Sequence, residues 1–166
     1  MEKLLEFATQ YLQVLYLNPA YRFTDSKTCG LADIDASISL SSDTLRWDIT
    51  NDRGQIDVAV VPLQFANDDN WFWLSLIRQY LNGSQAAAEG GSDRDSSAWL
   101  SLNLDEVERL FTDAEDAPRV CAELVALRQE ISSGGTGGGR SQSRFRGTLT
   151  APIRPPVRSP LKRSSD

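Results

Sequence analysis

Residues 34–60, which read IDASISLSSDTLRWDITNDRGQIDVAV, decide the fold because apolar and polar residues alternate along three successive segments. Alternation with a period of two is typical of β-strands that bury one face. Two short polar connections, residues 41–44 and residues 51–54, separate the segments and have the composition of four-residue hairpin loops. An earlier alternation around Tyr21 and Phe23 adds a fourth strand. The sequence therefore predicts an antiparallel meander of four strands.

The large apolar residues of the last two strands predict their register. With residues 51–54 as the loop, each of these residues meets another on the same face, in the pairs Leu45 with Val60, Trp47 with Val58, and Ile49 with Ile56. A slip of one residue would set apolar side chains opposite polar ones. The same register places Asp48 opposite Asp57, and the pairing with the preceding strand places Asp35 opposite Thr50.

Apolar residues at helical spacing occur on both sides of this meander. A first helix is predicted from about Glu2 to Leu17, and a second opens near Trp71 and ends at Gly83. Two further helices are predicted, one from Asn103 and one opening near Pro118. The expected fold class is α+β, with a four-stranded antiparallel meander sheet packed on the N-terminal helix and on the further C-terminal helices.

The composition changes near residue 133. Residues 1–132 are predicted to form a single α+β domain, with a mobile loop at about residues 84–97, where Gly, Ser and Ala are frequent. Residues 133–166 begin SSGGTGGG and are rich in Gly, Ser, Arg and Pro, which predicts a disordered tail. This tail has seven basic residues and one acidic residue, a net charge of +6, whereas residues 1–132 have 10 basic and 22 acidic residues, a net charge of −12.

The composition also excludes several classes of site. The chain has no histidine, which excludes Ser-His-Asp and Cys-His catalysis and histidine metal ligands. Its two cysteines, Cys29 and Cys121, form no CxxC motif and suggest no disulfide framework. No apolar run has the length of a signal peptide or a membrane span. A cytoplasmic protein of a bacterial cell is therefore expected, with no cofactor and no membrane contact.

Three carboxylates are predicted to share one face of the sheet, those of Asp35, Asp48 and Asp57. Opposed like charges destabilise a sheet unless something compensates them. The compensation could come from a divalent ion, from an arginine such as Arg46 or Arg22, or from a basic partner. The carboxylates could also simply be solvated.

Trp71, Phe72 and Trp73 are consecutive, so on a helix they would point in directions about 100° apart. They could not all face one core, and an exposed tryptophan beside acidic residues is typical of a protein interface. The alternative is a helix buried on two sides.

These features favour a small, acidic, non-catalytic module that binds a basic protein, for example an immunity protein or an inhibitor of a basic toxin or nuclease. Its candidate partner-binding residues are Asp35, Asp48, Asp57, Trp71 and Trp73. One alternative is a metal-dependent hydrolase in which the three aspartates hold Mg²⁺. Another is a nucleic-acid accessory protein that acts through the basic tail. No residue is assigned a catalytic role.

Overall fold

The computed structural model describes residues 1–29, 35–83 and 93–134. Its N-terminal segment is helical. Helix α1 spans Glu2–Tyr11 and a single-turn helix α2 spans Gln13–Tyr16. The prediction of one helix to Leu17 is wrong, because the backbone leaves helical geometry at Leu12, with φ −116° and ψ 32°. The break keeps Leu12 in the core, where it is 1% exposed.

One antiparallel sheet follows, with its strands in chain order. Its strands are β1 (Arg22–Cys29), β2 (Asp35–Ser41), β3 (Leu45–Asp52), β4 (Gln55–Pro62) and β5 (Phe72–Trp73). Together with the helices this confirms the α+β class and the meander. The described residues contain five strands rather than the predicted four, because residues 72–73 pair with β4.

The β3–β4 hairpin corrects the predicted register. Asp52 pairs with Gln55, so the connection is a two-residue turn, Arg53-Gly54, and not a four-residue loop. The register is therefore shifted by two residues, and the apolar pairs are Leu45 with Pro62, Trp47 with Val60, and Ile49 with Val58. A shift of two keeps every side chain on its predicted face, because side chains alternate with a period of two.

Three helices complete the described chain. They are α3 (Leu74–Asn82), α4 (Asp93–Thr112) and α5 (Ala117–Gly134), and a 3₁₀ turn spans Leu63–Phe65. Gly83 ends α3 as predicted, with φ +74°. The start predicted at Asn103 is wrong, because Asn103 lies inside α4 and its Nδ2 donates to the Trp99 carbonyl.

The predicted loop and tail lie mostly outside the described residues. Of the loop at about residues 84–97, residues 93–97 belong to α4 and residues 84–92 are not described. Of the basic tail, residues 133–134 belong to α5 and residues 135–166 are not described.

The hydrophobic core lies on one face of the sheet, between the strands and the helices. Trp47, at the centre of β3, is 0% exposed, and the Phe72 ring stacks on Phe111 of α4 with 6.1 Å between centroids. Each fully buried large side chain of this kind contributes about 1.5–3 kcal/mol to stability. The Tyr21 hydroxyl donates to Glu108 Oε1 at 2.7 Å, which ties the start of β1 to α4. Within the described residues, no helix is both long enough and apolar enough to cross a membrane.

Candidate functional site

The sheet has a second face, on which polar and small side chains lie in three rows. The register gives the rows as Ser37, Thr50 and Asp57; Ser39, Asp48, Ala59 and Trp73; and Ser41, Arg46 and Val61. We call these ten residues the polar face. Ala59 and Val61 are 5% and 2% exposed but lie outside the main hydrophobic core.

Asp48 lies at the centre of the polar face and is paired inside the protein. Its carboxylate accepts a hydrogen bond from Ser39 Oγ on the neighbouring strand β2. Arg46 Nε, two residues away on the same side of β3, lies 3.0 Å from each carboxylate oxygen. Asp48 is 5% exposed. Arg46, one of the groups expected from the sequence to compensate its charge, lies beside this buried carboxylate.

Two opposing effects act on the acidity of Asp48. Burial raises its pKa above the ordinary value, and the nearby Asp25 carboxylate adds to the rise. The Ser39 hydroxyl and the Arg46 guanidinium lower the pKa but do not cancel the effect of burial. Both hydrogen bonds go to Oδ1, whereas Oδ2 is buried 3.0 Å from Arg46 Nε and accepts no hydrogen bond from the described residues.

The predicted opposition of Asp48 and Asp57 is wrong. Asp48 pairs with Ala59, and Asp57 pairs with Thr50, one row away on the polar face. The backbone of Asp35 pairs with Asp52, at the end of the β2–β3 ladder, and not with Thr50. In the part of the chain that the structure describes, no three His, Cys, Asp or Glu residues are grouped closely enough to hold a metal ion.

Trp71 does not lie on a helix, contrary to the prediction, because α3 begins only at Leu74. The Arg46 guanidinium carbon lies 5.6 Å from the centroid of the half-buried Trp71 ring, a cation–π contact. The Trp71 carbonyl accepts a hydrogen bond from Arg128 Nη1 of α5 at 3.0 Å. Trp71 thus contacts two arginines, Arg46 and Arg128, that are far apart in the sequence.

The segment before Trp71, residues 67–70, forms what we call the acidic loop. Asn67 Oδ1 accepts hydrogen bonds from the backbone amides of Asp69 and Asn70, each at 2.9 Å. Arg128 Nη2 donates to the Asp69 carbonyl at 3.0 Å. The Asp68 and Asp69 side chains remain exposed. Sequence reasoning missed Arg128, because it lies 59 positions from Asp69 and nothing local indicates the contact.

Trp73 is the exposed residue of the Trp71–Trp73 run, and it lies on a strand and not on a helix. It is 41% exposed, whereas its neighbour Phe72 is fully buried on the core face. Trp73 and the half-buried Asp57 line the same small surface cleft, together with Ser75 and Ser96.

The polar face therefore brings together most of the residues proposed from the sequence. Asp48, Asp57 and Trp73 lie on it, and Trp71 joins it through Arg46. The Asp48 carboxylate is engaged by Ser39 and Arg46. Comparisons of this chain with protein-family models, with curated proteins and with solved structures find no match.

Proposed function

We propose that this protein is a non-catalytic module that binds a basic protein through Trp73, Asp57, Trp71 and the acidic loop. The observation that carries the proposal is the exposure of Trp73 next to Asp57 on the polar face. Tryptophan is enriched among the residues that dominate binding energy at protein interfaces. A large aromatic side chain that is 41% exposed offers a partner a broad apolar contact beside a carboxylate.

Charge supports a basic partner. Residues 1–132 carry a net charge of −12, and two of their carboxylates, those of Asp68 and Asp69, are exposed in the acidic loop next to Trp71. A strongly charged surface attracts a partner of opposite charge and speeds association, especially at low salt. Apolar contact by Trp73 and attraction by the surrounding acids would then act on the same partner.

The hydrogen bonds of the acidic loop support a binding role as well. Asn67 holds two backbone amides of the loop, and Arg128 holds the carbonyls of Asp69 and Trp71. A loop that is ordered before binding loses less conformational entropy when a partner docks. The exposed Asp68 and Asp69 are therefore presented on a backbone that is already fixed.

An immunity protein or inhibitor is the form of this function that we favour. A basic toxin or nuclease needs a positive cleft for its phosphate-bearing substrate, and an acidic surface with an aromatic anchor is suited to occupy such a cleft. The proposal includes a bacterial cytoplasmic setting, which the use of only two cysteines favours.

Affinity capture with the full chain tests the proposal. The wild type, Trp73→Ala and Leu102→Ala are immobilised and exposed to a cell extract at low salt, and the retained proteins are identified. Leu102 is the matched control, because it is 87% exposed on α4 and belongs neither to the polar face nor to the acidic loop.

We expect one basic protein to be retained by the wild type and by Leu102→Ala, to be lost from Trp73→Ala, and to elute when the salt concentration rises. Retention of the same proteins by all three baits would contradict the proposal, and so would a retained partner that is acidic.

A further inference from the structure

A second concave surface is lined by two residues of the acidic loop, Asn67 and Asn70, and by the start of α5. It is a cleft of about 390 Å³ between the segment that follows β4 and the first two turns of α5. Ligand sites in proteins have volumes of about 300–1,000 Å³, so this cleft has room for a small ligand. We call it the amide cleft, after the carboxamides of Gln64, Asn67 and Asn70 that line it.

The amide cleft is uncharged, although it belongs to a strongly acidic part of the chain. None of its eight lining residues is acidic or basic. Cys121, which is 4% exposed, lines it too, and burial raises the pKa of its thiol, so the thiol remains protonated and neutral at pH 7. Phe65 and Ala122 add apolar surface. Such a lining suits an uncharged ligand, in contrast to the basic partner proposed for the polar face.

Two carboxamides of the cleft are oriented by hydrogen bonds within the chain. Asn70 is 9% exposed, and its Nδ2 donates to the Phe65 carbonyl at 2.7 Å, which makes Oδ1 the atom left over as an acceptor. Asn67 uses its Oδ1 to accept two backbone amides, which leaves its Nδ2 as a donor. Neither Asn70 Oδ1 nor Asn67 Nδ2 has a hydrogen-bond partner among the described residues.

An open acceptor and an open donor in one uncharged cleft match a single chemical group. A peptide bond presents one N–H donor and one C=O acceptor and carries no charge. We propose that the amide cleft binds an uncharged peptide segment, whose N–H donates to Asn70 Oδ1 and whose carbonyl accepts from Asn67 Nδ2. A small apolar side chain of the segment packs on Phe65 and Cys121. This inference does not depend on the binding of a basic protein at the polar face.

The probe for the test is the capped dipeptide N-acetyl-alanyl-alanine methylamide, added to the ¹⁵N-labelled full chain. We expect saturable shifts of the Asn67 and Asn70 side-chain amide signals in NMR spectra, with a Kd on the order of 1 mM for a ligand of this size. Methyl glucoside, at matched concentrations, serves as an uncharged probe that presents hydroxyl groups instead of an amide.

Variants that fill the cleft identify the site. Ala122→Leu fills it from α5 and Ala66→Leu from the opposite wall, and both positions are exposed, so either substitution is compatible with folding. Ala126→Leu is the control, since Ala126 is exposed one turn further along α5 and does not line the cleft. We expect each filling variant to weaken dipeptide binding at least about tenfold and the control to leave it unchanged.

Three results would overturn the proposal. They are the absence of saturable shifts with the dipeptide, equal binding by the wild type and both filling variants, and saturation by the glucoside but not by the dipeptide.

Discussion

Burial and pairing have opposite effects on the pKa of the Asp48 carboxylate. Burial raises its pKa, while Ser39 and Arg46 favour its charged form. The net rise means that loss of hydration costs the charged form more than the pairing returns. Pairing with Ser39 and Arg46 therefore offsets only part of the cost of burying the charge, and a second effect of Asp48 is to hold Arg46 where the guanidinium contacts Trp71.

Asp48→Asn should lower the free energy of unfolding by about 1 kcal/mol at pH 7, at both low and high salt. Arg46 Nε lies 3.0 Å from both carboxylate oxygens, and in the variant one of these oxygens becomes an NH₂ group that cannot accept. Denaturant melts measure the change. Asp43→Asn is the control, because Asp43 is exposed between β2 and β3 and its substitution should change stability by under about 0.5 kcal/mol. A gain in stability for Asp48→Asn that shrinks as salt rises would mean that repulsion dominates at this position.

The pH dependence of the same variant has a definite sign. Because the pKa of Asp48 is raised from 3.8, the folded protein keeps this proton to higher pH than the unfolded chain does. The stability that Asp48 contributes is therefore fully present below about pH 4 and falls as pH rises through the folded-state pKa. The difference in unfolding free energy, wild type minus Asp48→Asn, should shrink between pH 4 and pH 7. A difference that grows over this range would show that pairing with Arg46 outweighs burial.

The sequence indicates contacts between residues that are close together in the chain. It gives no indication of contacts between residues that are far apart. Arg46 was among the compensating groups expected for Asp48, because it lies two positions away on the same strand face. The hydrogen bond from Arg128 to the Asp69 carbonyl joins residues that are 59 positions apart. A lone arginine in a helix gives no indication of such a partner.

In the β3–β4 hairpin, the alternation of apolar and polar residues determines which face each side chain lies on, but it does not determine the register of the two strands. A shift of two residues leaves each side chain on the same face, so the apolar pattern cannot distinguish the two registers. The turn decides between them. Arg53 and Gly54 both have positive φ, 53° and 92°, as in the two-residue type I′ turn that matches the twist of paired strands.

Arg53→Asn should raise the free energy of unfolding by about 0.5–1 kcal/mol, because asparagine tolerates positive φ better than arginine does. Gly54→Ala should lower it by about 1 kcal/mol, since its φ of 92° disfavours any side chain. Arg53→Lys, which keeps the charge and the strain, is the control and should change little. Chemical denaturation of the three variants measures these effects, and a loss of stability in Arg53→Asn would be inconsistent with the turn.

Trp47→Ala should cost about 3–5 kcal/mol, since Trp47 is 0% exposed between Leu40 and Val60 in the centre of the sheet. Trp73→Ala, on the polar face and 41% exposed, is the matched control and should cost under about 1 kcal/mol. Equilibrium unfolding in denaturant compares the two. A cost under about 1 kcal/mol for Trp47→Ala would mean that the faces of the sheet are inverted.

In strand β5, pairing with β4 overrides the helical spacing of the local sequence. The Trp-Phe-Trp run was predicted to be helical, because apolar residues at helical spacing follow it. Pairing with Ala59 and Val60 instead holds residues 72–73 extended, which places Phe72 in the core and Trp73 on the polar face. Aromatic residues favour strands, so a signal for this outcome was present but competed with the helical spacing.

At the scale of the whole molecule, an aromatic anchor, a fixed acidic loop and an excess of acidic charge favour one kind of partner. The charge was evident from the sequence, since residues 1–132 carry −12. The convergence of Trp71, Trp73 and Asp57 at one face depends on the pairing of β4 with β5, for which the local signal competed with the helical spacing. We therefore propose that the partner binds at the polar face and not at another exposed part of the molecule.

The affinity of the captured basic protein for the wild type, Trp73→Ala and Leu102→Ala tests this claim most directly. Trp73→Ala should raise the Kd about 30-fold or more, the loss expected when an interface anchor worth about 2 kcal/mol is removed. Leu102→Ala, at a position on α4 that is 87% exposed, should bind like the wild type. An unchanged Kd for Trp73→Ala, or an equal loss for Leu102→Ala, would contradict a binding site on the polar face.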